Sequence, residues 1–138
     1  VRVYADGSAL VRYLPEPAQS VDWQRWAERH QPDLLVTSLS LAELRHAAAW
    51  TPAHVRARLH TVTERLEVAR WSDQAVRVAA LADESLSPFS RLHLGLAVAH
   101  PDVTAFASYD PRLVAAAAEH GLAVVTPGLA ERWWDPLA

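Results

Sequence analysis

The sequence predicts an α/β protein, a three-layer α/β/α sandwich with a central parallel sheet of four to five strands. Two observations carry that expectation. Short apolar, β-favouring runs alternate with longer stretches at helical spacing, the pattern of parallel strands joined by helical crossovers. Proline, glycine and capping residues fall between those stretches, so the breaks agree with the periodicity. At 138 residues and 51% hydrophobic, the chain is long enough to bury one core and reads as one domain over residues 1–138.

The first strand is Val1 to Ala5. A short helix from Ser8 to Leu14 is stopped by Pro15-Glu16-Pro17, and a second carries Val21, Trp23, Trp26 and Ala27 at helical spacing. Pro32-Asp33 turns the chain into a strand from Leu34 to Thr37. The Leu- and Ala-rich segment Leu39 to Trp50 forms a helix ending before Pro52, a residue that suits the first turn of the next helix, which reaches Arg65. Leu66 to Trp71 is a short strand or an extended connection, and Ser72 is placed to cap a helix from Gln74 to Asp83. Ser87-Pro88 breaks the chain before a helix from Ser90 to Ala99, and Pro101-Asp102 leads into the strand Thr104 to Ser108. Pro111 opens a helix over Arg112 to His120, with Gly121 just beyond its end, where glycine is favoured. Ala123 to Thr126 is the last strand, and the tail with Trp133-Trp134 is expected to close the bottom of the core.

Composition removes several functional classes. Cysteine is absent, which excludes disulfides, zinc–thiolate sites and cysteine nucleophiles. No Ser-His-Asp signature, phosphate-binding glycine loop or dinucleotide fingerprint occurs, and four glycines leave little room for one. No apolar run nears the ~20 residues of a membrane span and nothing resembles a signal peptide, so a cytoplasmic protein is expected. All 13 basic residues are arginine, and Lys, Asn, Ile and Met are missing, a bias that points to a GC-rich coding sequence. With a formal net charge of -3, bulk electrostatics do not mark a nucleic-acid binder. An RNA contact would rest on a local patch drawn from Arg45, Arg56, Arg58, Arg65 and Arg70, residues equally explained as solvated helix faces.

Three carboxylates stand where a strand or loop hands over to a helix. Asp6 and Asp110 end strands and Glu43 lies just after one. In a parallel sheet the carboxyl ends of the strands share one edge, so acids far apart in sequence converge there, and clustered carboxylates suit a hard divalent cation. Each also has a capping explanation. Asp6 precedes a helix, Asp110-Pro111 pairs a cap with proline at the first helical position, and Ser40-Leu41-Ala42-Glu43 fits a capping box.

The opening Tyr4-Ala5-Asp6-Gly7-Ser8-Ala9-Leu10, the segment Thr37-Ser38 to Glu43-Leu44, Leu92-His93-Leu94-Gly95-Leu96-Ala97, and Ser108-Tyr109-Asp110-Pro111 with Gly121 to Gly128 follow one another in order. Together they resemble the motifs of the PIN-domain ribonucleases and, among these, the VapC toxins of bacterial toxin–antitoxin pairs. The resemblance implies a PIN-like fold and an endoribonuclease whose Mg²⁺ or Mn²⁺ is held by Asp6, Glu43 and Asp110. It further implies tRNA or ribosomal RNA as substrate, a VapB-like cognate antitoxin as inhibitor, and a homodimer.

Two departures stand out. The family's third acid stands three residues before the histidine of the third motif, and that position here is Ser90, followed by Arg91. A serine hydroxyl brings no charge and is a poor Mg²⁺ ligand, and Asp83 and Glu84 would replace it only through an unusual loop path. Gly7 stands where the family often has threonine or serine, which implies a looser turn beside Asp6. Ser8 keeps a hydroxyl nearby, either as a donor to Asp6 or as a cap.

Ser90 keeps a second class of function open, a catalytically impaired relative that acts by binding antitoxin or RNA. A phosphate-accepting α/β domain is disfavoured because the chain has no lysine. His93, among leucines, reads as a packed or hydrogen-bonded structural histidine. Trp23 and Trp26 are either core or anchors for an antitoxin segment.

Overall fold

The structure, a computed structural model, describes residues 1–138. In chain order its strands are β1 (Arg2–Ala5), β2 (Leu34–Val36), β3 (Glu67–Val68), β4 (Val103–Ala107) and β5 (Ala123–Val125). Its α-helices are α1 (Gly7–Leu10), α2 (Ser20–His30), α3 (Ser38–Ala48), α4 (Ala53–Thr63), α5 (Asp73–Leu81), α6 (Pro88–Ala99) and α7 (Pro111–Glu119), with 3₁₀ turns at Val11–Tyr13 and Gln31–Asp33. The five strands pair in the order β3-β2-β1-β4-β5 and every pairing is parallel.

Side chains alternate across the sheet as the pleat requires. Val3, Ala5, Leu34, Val36, Ala105 and Ala107 point to one face, where they meet Leu10, Trp23, Leu41, Leu44 and Leu59 of the first four helices. Tyr4, Leu35 and Phe106 point to the other and meet Ala75, Leu94, Leu96 and Leu113. The chain runs outward from β1 to β3, then crosses to β4 on the opposite side of β1, so helices pack on both faces. The carboxyl ends of β1 and β4 lie at this reversal, where open α/β sheets form their binding crevice.

Several boundaries differ from expectation for local reasons. The first helix is one turn, Gly7–Leu10, continued by a 3₁₀ turn, and begins earlier because Asp6 caps it. Thr37 leaves the second strand to cap α3, and its capping box is with Ser40, 3.3 Å from backbone N–H to hydroxyl, rather than between Ser40 and Glu43. Ser87 caps α6 with Pro88 at the first helical position, so that helix starts two residues before Ser90. Gly121 takes a positive φ of 84° beyond α7, as a residue after a helix end does.

Helices α5 and α6 come within backbone contact. A Cβ at Gly95 would stand 2.3 Å from the Ala75 carbonyl oxygen and 2.8 Å from the Ala79 nitrogen. Trp23 is fully buried beside the half-buried Trp26, so this pair belongs to the core. Trp133 and Trp134 lie outside both core clusters. Trp133 Nε1 donates to Thr126 Oγ1 (3.0 Å) just past β5, which places the tail beside the last strand instead of under the sheet. No helix is long and apolar enough to cross a membrane.

Candidate functional site

Asp6 follows directly on β1, and its backbone N–H still pairs with Ala107 of β4 (3.2 Å). The carboxylate is buried, 3% exposed, and both oxygens are engaged. Oδ1 accepts from the Ala9 N–H (2.9 Å), the cap bond of α1, and from the Ser8 hydroxyl (2.7 Å). Oδ2 accepts from the Ser108 hydroxyl (2.6 Å). Each serine is held from behind by a backbone donor after β4, Tyr109 N–H on Ser8 (2.8 Å) and Asp110 N–H on Ser108 (3.1 Å). Two hydroxyls thus tie the end of β1 to the end of β4.

Burial pushes the Asp6 pKa upward, against the opposing pull of His93, Ser108, Ser8 and the Ala9 N–H. No arginine pairs with it. A buried carboxylate without a cationic partner is costly, and a cation in the adjoining crevice would relieve that cost.

Asp110 begins α7 and its Oδ1 accepts from the N–H groups of Arg112 (3.0 Å) and Leu113 (3.3 Å). It is therefore a helix cap, joined to Asp6 through Ser108, with Oδ2 outside those bonds. Glu43 lies in the middle of α3, released from capping by the Thr37–Ser40 box. Its side chain rests against Gly7, where an added Cβ would lie 2.5 Å from Glu43 Cβ and 2.6 Å from Oε1. Gly7 has no positive φ, so the expectation of a looser turn is corrected: glycine is needed here for space.

Glu43 Oε1 accepts a hydrogen bond from His93 Nε2. His93, 2% exposed on α6, turns its other nitrogen, Nδ1, to the Tyr4 hydroxyl (2.6 Å). Tyr4 Oη in turn lies 3.0 Å from Thr37 Oγ1 and 3.2 Å from Ser40 Oγ. The proton order follows from the acceptors. A carboxylate only accepts, so Nε2 carries a proton, and in the tautomer with that proton alone on the ring Nδ1 accepts from Tyr4. Ser40 donates to the Ala5 carbonyl (2.8 Å), which leaves Thr37 to donate to Tyr4. Burial pushes the Tyr4 pKa far up, so its hydroxyl keeps its proton to donate.

Ser90 makes no side-chain hydrogen bond to this arrangement. Its N–H donates to Ser87 Oγ (3.2 Å) and its hydroxyl accepts from Ser87 (3.1 Å), a cap interaction in the first turn of α6. Arg91 Nε donates to the Asp83 carbonyl oxygen (3.3 Å). Asp83 and Glu84 are exposed, and the Asp83 side chain accepts from the Ser85 N–H (2.8 Å), so neither replaces the missing acid. Arg12 lies on the other flank, donating to the Ser8 carbonyl (2.9 Å) with its guanidinium carbon 4.4 Å from the Tyr109 ring centroid.

At the crevice Ser108 thus ties the Asp6 carboxylate to the backbone N–H of Asp110, and Glu43 rests against Gly7, the residue after Asp6. No three histidine, aspartate or glutamate side chains close into a ready-made metal cage. Mg²⁺ binds through one or two carboxylates and keeps several waters, so oxygen donors of this kind would hold it only as a partly hydrated ion. The sequence does not mark Tyr4, Thr37, Ser40 and Ser108 as site residues: Tyr4, Thr37 and Ser108 read as strand residues and Ser40 as a cap. The available signal was a tyrosine and a histidine at buried positions, each of which needs a polar partner. Set against models of known protein families and against curated proteins, the chain has no match.

Proposed function

We propose that this protein is a metal-dependent endoribonuclease of the PIN type, similar to the VapC toxins, acting on tRNA or ribosomal RNA in the cytoplasm and restrained by a cognate antitoxin. The observation that supports this reading is the joining of the Asp6 carboxylate to the backbone of Asp110, 104 positions away in the chain, through Ser108 at the strand-order reversal, with Glu43 against Gly7. Asp6, Glu43 and Asp110 would hold Mg²⁺ or Mn²⁺. When bound, the ion polarises a phosphoryl oxygen and lowers the pKa of its water. The chain's own part is to keep the Asp6 carboxylate oriented by its three donors, to cap α7 with Asp110, and to present Glu43 half-exposed to solvent. Three acids where the family has four give a site of lower negative charge, hence weaker cation binding and slower turnover.

A second reading, partner binding without cleavage, is favoured by the commitment of Ser90 to its helix cap. Cleavage of a total tRNA and ribosomal RNA pool with Mn²⁺ separates the two. The expected result is slow cutting by the native chain, none by Asp6→Asn and faster cutting by Ser90→Asp, a change the first turn of α6 accepts because acids suit helix N-termini. Cutting by Ser90→Asp alone would move the function to binding. Native cutting that survives in Asp6→Asn would remove the site assignment.

A further inference from the structure

We propose that His93 and Tyr4 are positioning residues for Glu43. They hold one carboxylate oxygen so that the other is presented to the cation in a fixed orientation. The inference rests on the metal-site reading above and deepens it.

Glu43 is a long, half-exposed side chain, and in water it would sample many rotamers at a cost to ordering it. Two contacts restrict it. Gly7 gives it a seat no other residue would leave open, and the Nε2–H of His93 fixes Oε1. His93 is itself buried and held through Nδ1 by Tyr4. The run then closes on itself. Tyr4 bonds Thr37, the residue that caps α3, and α3 carries Glu43. Both ends of the hydrogen-bonded path therefore lie on one helix, and the setting of α3 against β1 and α6 is coupled to where the Glu43 carboxylate stands.

The path ends on a half-exposed carboxylate whose Oε1 is held by His93. Groups that orient a metal-binding carboxylate behave as this path does, and removing them costs ~10–100-fold in metal affinity.

The test measures binding of Mn²⁺ alone by calorimetry, in the full chain, with far-UV circular dichroism to confirm folding. Proton NMR follows the low-field Nε2–H signal of His93. Tyr4→Phe, which removes the hydroxyl that holds Nδ1 together with its bonds to Thr37 and Ser40, is expected to weaken Mn²⁺ by ~10-fold and shift that signal. His93→Leu should weaken it at least as much, and His93→Gln, whose amide keeps an N–H donor, should stay close to native. If Glu43→Gln loses Mn²⁺ while folded Tyr4→Phe and His93→Leu bind as the native chain does, the positioning role is overturned and the metal site stands. If the native chain binds no Mn²⁺, the metal reading falls and the role falls with it. An unmoved Nε2–H signal in Tyr4→Phe would remove the path itself.

Discussion

The carboxyl edge of the sheet and the α4 face treat polar residues in opposite ways. At the edge, Asp6, Tyr4, Thr37, Ser40, His93 and Ser108 are buried, and every side chain among them has at least two partners. On α4, only Leu59 is buried, and His54, Arg56, Arg58 and His60 face solvent. Clefts of about 230 Å³ toward α3 and about 600 Å³ toward α2 flank the helix. No carboxylate pairs with Arg45, Arg56 or Arg58. The edge is over-determined, so a small change has nowhere to relax, whereas α4 is lightly held and has room to absorb one.

That contrast sets the expected size of substitutions. The largest effect is Gly7→Ala, a single added methyl at the edge. With Glu43 Cβ 2.5 Å from the new atom, no rotation of the side chain relieves the clash and the backbone of α3 must shift from Gly7, so a loss of about 3 kcal/mol in urea unfolding is expected. Leu59→Ala on α4 removes three heavy atoms yet should cost only about 2 kcal/mol, the low end for a buried leucine, because the flanking clefts let the helix settle inward. A larger loss at Leu59 than at Gly7 would invert the comparison.

The smallest effect has the opposite sign. Burial raises the Asp6 pKa above its ordinary 3.8, so the folded state holds this proton more tightly than the unfolded one. Asp6 therefore favours folding most below the ordinary value, and that contribution is lost as pH rises through its raised folded value. In metal-free buffer, Asp6→Asn should melt higher than the native chain at pH 7, on the order of 3 °C. The gap should narrow as pH falls toward 4. A native chain that melts higher at pH 7 would show that the surrounding donors outweigh burial.

The alternation of strands and helices was legible because each apolar run has its own punctuation, and so were Asp6 and Asp110 at strand ends. Glu43 was found by position but given a capping partner, since Ser40 and Thr37 both precede it with hydroxyls and only the helix start decides between them. The Tyr4–His93 contact was not legible at all. It joins residues 89 apart, and its presence depends on how α6 lies across the sheet, which no local pattern encodes. Gly7 was read through φ when the requirement is volume, a property of the neighbour that packs there.

Gly95 sets the azimuth of α6. Because its missing Cβ lets the helix touch the backbone of α5 at Ala75 and Ala79, α6 is locked in rotation about its own axis as well as in distance. His93 lies two residues back on the same helix, and at a side-chain radius of about 5 Å a turn of about 10° moves its ring by about 1 Å. A hydrogen bond to Glu43 does not survive many such steps. A contact on the far side of α6, between residues with no chemistry of their own, thus works as the index mark by which an imidazole finds a carboxylate on another helix.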